Sequence, residues 1–306
     1  MKDKAEGRGL RDKVIVVTGA TSGFGKGAAL RFAKAGAALV LAGRRDELLS
    51  EIETAALGAS GHRGLGVHTD VGNEAEVAAL AAKAIEQFGR IDIWVNNAGV
   101  GAVGKFWDIP LADHRKVIET TLLGTVYGSW HAMKHFVAQG QGTLINIASI
   151  VGRVPQPYFE SYVAAKHGVI GLSSSLRLAL REQKLDKTIH VCTVLPGAHD
   201  TPWFDHAANF TGHDIHPAKA GDPEAVIEAI VRLAEYPDEE EVAVGADAER
   251  GLRKQGRNAR FERKEAHALH KEFMVDAPPG EDTHGALFDP NDKGAGVHGG
   301  NTTKHR

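Results

Sequence analysis

Short apolar runs alternate with longer stretches of helical periodicity along this chain. Apolar runs at 14–17, 37–42, 64–68, 91–95, 143–148, 189–195 and 241–244 predict strands. Apolar residues at helical spacing predict helices over 24–35, 46–57, 74–88, 112–137, 161–182 and 223–235. Strands separated by helices of this length predict βαβ units, whose right-handed crossovers put helices on both faces of a parallel sheet. The strand runs show little polar alternation, as burial on both faces requires. The predicted class is α/β, a doubly wound parallel sheet of about seven strands.

The 306 residues, 42% hydrophobic and 25% charged, give ample chain for one large buried core. That domain is expected over 12–247, after a short charged tail, 1–11. The net charge of −3 offers no electrostatic reason to expect nucleic acid or an anionic membrane as partner. Cys192 is the only cysteine, which excludes an intrachain disulfide, and its apolar surroundings predict a buried strand position. The first residues lack the apolar core of a signal peptide, and no apolar run approaches the roughly 20 residues that span a bilayer. A cytoplasmic protein is expected. Composition changes near the end. Residues 248–274 are rich in Arg, Lys, Glu and His, with Leu252, Phe261, Leu269 and Phe273 thinly spaced, and predict a solvated helix. Residues 276–306 have few apolar positions, so they are expected to be mobile or an arm on a partner subunit.

Candidate chemistry begins after the first strand. Thr18-Gly19-Ala20-Thr21-Ser22-Gly23-Phe24-Gly25 leads from that strand into the first helix. Glycines permit positive φ and close backbone approach to a ligand, and a helix N-terminus favours a pyrophosphate. A glycine cluster alone also fits an ordinary tight turn; the strand before it and the helix after it favour a Rossmann-like dinucleotide site. The second strand ends Leu41-Ala42-Gly43-Arg44-Arg45. An acidic residue here would bond the ribose 2′-hydroxyl of NAD, whereas arginine accommodates the 2′-phosphate of NADP. Gly43 supplies no carboxylate, and Arg44 and Arg45 follow, so NADP(H) is expected over NAD(H). Two solvated arginines at a helix start are the alternative.

The chain resembles the short-chain dehydrogenase/reductase family in its single-domain form. The resemblance rests on the glycine turn, Asn96-Asn97-Ala98-Gly99 after the fourth strand, and Tyr162-Val163-Ala164-Ala165-Lys166. Ser149 stands thirteen positions before Tyr162, and Pro196-Gly197, with Thr201, follows the sixth strand. It covers about residues 12–246. It implies cofactor contacts from Gly19, Thr21, Ser22, Gly23, Phe24, Gly25, Asn97, Ala98, Gly99, Pro196, Gly197 and Thr201. Asp70, with Val71 beside it, matches the aspartate that touches the adenine edge. It further implies that Tyr162 exchanges a proton with the substrate oxygen, Ser149 holds that oxygen, and Lys166 lowers the tyrosine pKa and binds the nicotinamide ribose. Tyr162 and Lys166, four apart, share one face of the predicted helix.

One position departs from the family pattern. Where an asparagine is usual, in Glu119-Thr120-Thr121-Leu122-Leu123-Gly124, this chain has Thr121. The family's asparagine holds a water in a proton relay and stabilises a local irregularity of the helix. A hydroxyl lacks the amide's paired chemistry. Thr121 is therefore expected to serve the relay through a shifted water or to weaken it.

The segments 100–107, 151–159 and 198–216 follow strand C-termini, where ligands bind in open sheets. Their Val103, Phe106, Val154, Pro155, Tyr158, Trp203, Phe204 and Phe210 suggest an apolar pocket for a ketone, aldehyde or secondary alcohol. Of the 16 histidines, the pairs His131/His135 and His267/His270 have helical spacing but no adjoining carboxylate pattern, so no metal site is expected. A homodimer or homotetramer is expected, with Val126, Trp130, Met133 and Phe136 as apolar helix surface. Two alternatives to a carbonyl reductase remain: a cofactor-binding regulator on the same fold with weak or lost catalysis, and a ketoreductase acting on acyl-carrier substrates.

Overall fold

In the computed structural model, residues 9–60 and 64–254 are described. The expected tail up to residue 8 and residues 255–306, with Phe261, Leu269, Phe273 and the His267/His270 pair, lie outside the described residues. So does the Leu252 side chain.

From the N-terminus run β1 (Val14–Thr18), α1 (Gly23–Lys34), β2 (Ala38–Gly43), α2 (Asp46–Ser60), β3 (Gly64–His68) and α3 (Glu74–Phe88). β4 (Ile93–Asn96), β5 (Ala102–Val103), α4 (Leu111–Val117), α5 (Gly124–Gln139), β6 (Gly142–Ile147) and α6 (Glu160–Glu182) follow. The last elements are β7 (Ile189–Pro196), α7 (Trp203–His206), β8 (Ala208–Asn209), α8 (Pro223–Glu235), β9 (Glu241–Val244) and α9 (Ala246–Lys254). Seven strands form a fully parallel sheet in the order β3-β2-β1-β4-β6-β7-β9. Strand order reverses between β1 and β4, and the crevice at their C-terminal ends is where such sheets bind ligands.

The period-2 alternation of a strand divides the core into two layers. Ile15, Val17, Leu39, Leu41, Val95, Ile145 and Val194 point to one face, under α1, α2 and α8. Val16, Val40, Trp94, Leu144 and Val191 point to the other, under α3, α5 and α6. Phe32 of α1 and Phe136 of α5 are fully buried, each removal from water contributing about 1.5–3 kcal/mol. Phe136 therefore belongs to the core, and Met133 packs against it, contrary to their expected place on an outer surface. Trp130 and Val137 of α5 and Leu178 of α6 remain exposed.

Helix ends follow their local chemistry. Asn73 caps α3 by accepting from Ala75 N, and Gly89 (φ 75°) ends it in the left-handed conformation. Asp222 caps α8 through Glu224 N, ahead of Pro223.

The helix expected over 112–137 is not continuous. A π-helical turn, Ile118–Leu123, separates α4 from α5. Such turns insert one residue relative to α-helical register, so Thr120 and Thr121 do not fall where a uniform period places them. The two-residue strands β5 and β8 form a second small parallel sheet, joining the segment after β4 to the segment after β7. They were invisible as periodicity because two residues carry none.

Candidate active site

The glycine turn is held by asparagine. Asn97 Nδ2 donates to Thr18 O (3.0 Å) and Gly19 O (3.1 Å). Thr18 Oγ1 accepts from Asn97 N (3.0 Å) and Ala98 N (3.2 Å). The ends of β1 and β4 are thus locked together at the switch point. Gly19 has φ 63°, and a Cβ there would lie 2.8 Å from Ala98 Cα. Gly25 is not at the cavity: a Cβ there would lie 2.4 Å from both Asn97 Nδ2 and Gly19 O. Its requirement is close packing of α1 on the turn. Asn96 is also structural. Its side chain accepts from Trp94 Nε1 (2.7 Å) and donates to Asn146 Oδ1 (2.9 Å) and Ser129 Oγ (3.1 Å), in a buried network.

The turn opens onto a cavity of about 930 Å³. Gly19, Thr21, Ser22, Gly23, Phe24, Arg44, Arg45, Asp70, Val71, Asn97, Ala98, Gly99, Ser149, Tyr162, Lys166, Pro196, Gly197 and Thr201 all line it. Of the expected site residues only Gly25 and Thr121 do not. The N-cap residue of α1, Ser22, makes no side-chain cap bond, and the first turn holds no acidic residue. This contrasts with α3 and α8. Open first-turn N–H groups and the positive end of the helix dipole suit a phosphate diester.

At the end of β2, Arg45 donates to Thr21 Oγ1 (2.7 Å from Nη2) and Ser22 Oγ (3.0 Å). Arg44 makes no hydrogen bond or ion pair among the described residues and is exposed. Burial, then repulsion by Arg44, lowers the Arg45 pKa, a strain that an anion between the two would relieve. Asp70 accepts from Gly72 N (2.9 Å) and from Lys116 Nζ (2.7 Å). Burial works to raise the Asp70 pKa, but the bonds from Lys116 and Gly72 outweigh it and the net direction is down. The Lys116 pairing, which ties α4 to the end of β3, has no signal in the sequence.

Ser149, Tyr162 and Lys166 meet on one wall. Ser149 Oγ donates to Pro196 O (3.3 Å) and accepts from Val151 N (3.4 Å). Burial raises the Tyr162 pKa above its ordinary value, while the Ser149 hydroxyl, its hydrogen-bond partner, pulls it back. Lys166 is 3% exposed, and burial lowers its pKa to about 7. Its Nζ donates to Ile147 O (2.6 Å) and lies 5.5 Å from the centre of the Tyr162 ring. Without ligands, burial is the larger influence on Tyr162 and the Ser149 hydroxyl is what lowers it.

Thr121 is fully buried, and its hydroxyl is spent on the backbone of Val100, accepting from N and donating to O, both at 3.0 Å. Its neighbour Thr120 lines the cavity instead. A sequence reading in plain α-helical register had no signal for that exchange.

The apolar end of the cavity is built from Trp203, Phe204, Phe159, Ile150, Val151 and Ile215. Trp203 sits with its ring centroid 5.0 Å from that of Tyr162. Of the expected pocket residues, Trp203 and Phe204 line it. Val103 and Phe210 are buried beneath it, Val154 packs with Ala248, and Phe106 is exposed against His114. Pro155 and Tyr158 are not at the wall. Gln156, His199 and His206 also line the cavity, from the expected segments 151–159 and 198–216; Lys219 and Asp247, outside those segments, were not foreseen. Among the described residues no group of three or more His, Cys, Asp or Glu is placed to hold a metal ion. His135, of the helical pair, accepts from Ile91 N (3.2 Å). No helix among the described residues is long and apolar enough to cross a membrane.

Comparison with known proteins agrees with this geometry. Residues 13–210 match the model of the family described as short chain dehydrogenase. An uncharacterized oxidoreductase of Bacillus subtilis, YxnA, is 37% identical over 253 residues, 81% of this chain and 69% of that one. The cis-4-hydroxycyclohexanecarboxylate dehydrogenase of Sinomonas cyclohexanicum is 39% identical over 197 residues, 64% of this chain and 77% of that one. Among solved structures, an alcohol dehydrogenase from the archaeon Thermococcus sibiricus, complexed with 5-hydroxy-NADP, superposes with TM-score 0.66 at 26% identity, covering 76% of this chain and 96% of that one. A short-chain dehydrogenase from Streptomyces avermitilis superposes with TM-score 0.71 at 27% identity, covering 86% and 99%. The chain belongs to the short chain dehydrogenase family, as an oxidoreductase that acts on alcohol or carbonyl groups with a nicotinamide cofactor.

Proposed function

We propose that the protein transfers a hydride between NADP(H) and a small carbonyl or secondary alcohol substrate, with Tyr162 as general acid/base. The observation that carries this reading is the meeting of Ser149, Tyr162 and Lys166 on one wall of the cavity that begins at the uncapped turn. The cofactor, when bound, supplies or accepts the hydride. The open N–H groups of Gly23 and Phe24 hold its pyrophosphate, and Arg44 and Arg45 hold the 2′-phosphate as a guanidinium pair.

Ser149 and Tyr162 hold the substrate oxygen between two hydroxyls. A phenol whose pKa is raised by burial stays protonated at neutral pH. It is therefore poised to donate to a carbonyl oxygen. Lys166, anchored on Ile147 O, holds the nicotinamide ribose and supplies a proton route along the wall. Trp203 and Phe204 cover the reacting carbon and exclude water. Trp130, Val137 and Leu178 offer the apolar faces through which two copies pair.

The test is fluorescence titration of NADPH and NADH on wild type, Arg44→Ala and Arg45→Ala. The expected result is tighter NADPH binding, weakened about tenfold or more in either variant, with NADH unchanged. Tighter NADH binding, indifferent to both variants, contradicts the NADP assignment.

A further inference from the structure

We infer that Gln156 reads a second polar group on the substrate, so that the favoured substrates are ketones carrying a neutral hydroxyl or carbonyl oxygen remote from the reacting carbon. The inference rests on the carbonyl reading above. Four residues of the segment after Ser149 line the cavity: Ile150, Val151, Gln156 and Phe159. Three of them are apolar, and Trp203 and Phe204 close the same end. Gln156 is the exception. It is half-buried, and its side chain makes no hydrogen bond or ion pair among the described residues. Its amide nitrogen and oxygen are not enclosed by the protein either, and so remain open to a ligand.

The backbone that carries Gln156 is held in place. Tyr158, between Gln156 and Phe159, has φ 70°, in the left-handed region that a bulky side chain seldom adopts. It is fixed from both sides. Its carbonyl accepts from Gly104 N (3.1 Å), and its N–H donates to Glu160 Oε1 (3.0 Å). Phe159, next along, is buried in a cluster with Val103, Ala207 and Ile215. A non-glycine residue persists in this conformation only where its surroundings over-determine it, and such residues gather at ligand-binding segments. Gln156 thus projects from a fixed stretch of the wall that leads into Tyr162, not from a free loop.

A free amide on an otherwise apolar wall acts as a selector. A purely apolar substrate would cover the amide and strip its water without replacing it. A substrate oxygen restores the bond: the amide NH2 donates to a carbonyl or hydroxyl oxygen, and the amide oxygen accepts from a hydroxyl. The side chain is neutral, so it supplies no charge to balance a carboxylate or an ammonium group. Pockets of this kind take their orientation from a few polar groups set among apolar ones. Ser149 and Tyr162 hold the reacting oxygen and Gln156 holds the remote one. Two anchored oxygens fix how the substrate lies over the cofactor, where one leaves it free to turn.

The experiment measures kcat/KM with NADPH for 3-hydroxycyclohexanone and 4-hydroxycyclohexanone, each against its methyl counterpart, in wild type, Gln156→Met and Gln156→Asn. Methyl and hydroxyl are close in size, so each pair isolates the hydrogen bond. Each ratio is taken within one protein, so a partly unfolded variant still reports. The expected result is a wild-type preference of about fivefold to tenfold for hydroxyl over methyl in at least one pair, lost or reversed in Gln156→Met and kept in part in Gln156→Asn. A wild-type preference for methyl in both pairs, or a ratio that Gln156→Met leaves unchanged, overturns the inference alone. Wild type that oxidises NADPH with none of the four ketones defeats the reading as a reductase of small ketones, and the inference with it.

Discussion

The Lys166 ammonium lies one helical turn from Tyr162, 5.5 Å from the centre of its ring, and gives its short hydrogen bond (2.6 Å) to the Ile147 carbonyl. Lysine and tyrosine are thus neighbours without being bonded to each other. Both are pushed by burial toward their neutral forms, the tyrosine upward and the lysine down to about 7. Near neutral pH the phenol therefore stays protonated, while the lysine is divided between its charged and neutral forms.

This has a consequence for stability. Between pH 7 and the ordinary lysine value near 10.4, the unfolded chain keeps a proton that the folded chain has shed. Stability from this group therefore rises with pH across that window, and is lost as pH falls through the folded value. Lys166→Met removes the effect. The variant is expected to be more stable than wild type at pH 6.5, by on the order of a few kcal/mol, with the gap closing by pH 9.5. Urea unfolding at the two pH values checks it; a gap that widens with pH contradicts the burial argument.

The raised tyrosine also sets the pH dependence of the two directions. Reduction needs the phenol protonated, so its rate is expected to stay flat through neutrality. Oxidation needs the tyrosinate, so its rate is expected to climb through the alkaline range. Initial rates in both directions from pH 6 to 10 distinguish this from a tyrosine already ionised at pH 7, which would give a flat oxidation profile.

Thr121 makes a prediction unlike the usual asparagine. Its hydroxyl bridges both backbone groups of Val100. Thr121→Val removes both bonds to these half-buried groups and is expected to cost about 1 kcal/mol in denaturant unfolding. Thr121→Asn is expected to crowd the same site. Stability unchanged in Thr121→Val would mean that the Val100 contacts carry no weight.

Trp203 defines the substrate end. It packs on Tyr162, and a Cβ on Gly101 would lie 2.4 Å from its ring. Trp203→Ala is expected to shift the kcat/KM ratio toward bulky over small ketones by about tenfold or more. An unchanged ratio would show that the indole does not bound the substrate space.

Much of this architecture was legible because buried parallel strands are read directly as apolar runs. The stretch 241–244 matched its strand residue for residue, and the switch point followed from the strand–helix alternation. Ser149, Tyr162, Lys166 and the glycine turn were singled out through the family resemblance, and they line one cavity. What escaped depends on contacts between distant segments. Gly25 is fixed by Asn97, Asp70 by Lys116, and Trp203 by Gly101. Periodicity alone did not show the π-helical turn, because a single inserted residue leaves no mark on composition; the family resemblance pointed to an irregularity at Thr121.

The central claim is that Tyr162 delivers the proton while the cofactor delivers the hydride. The direct test is single-turnover oxidation of bound NADPH by a small cyclic ketone, in wild type and Tyr162→Phe, with NADPH affinity measured in both. The account predicts equal NADPH affinity and a hydride-transfer rate reduced about 10²- to 10⁴-fold in the variant. Equal rates in the two proteins, at equal affinity, would contradict it and remove Tyr162 from the chemistry.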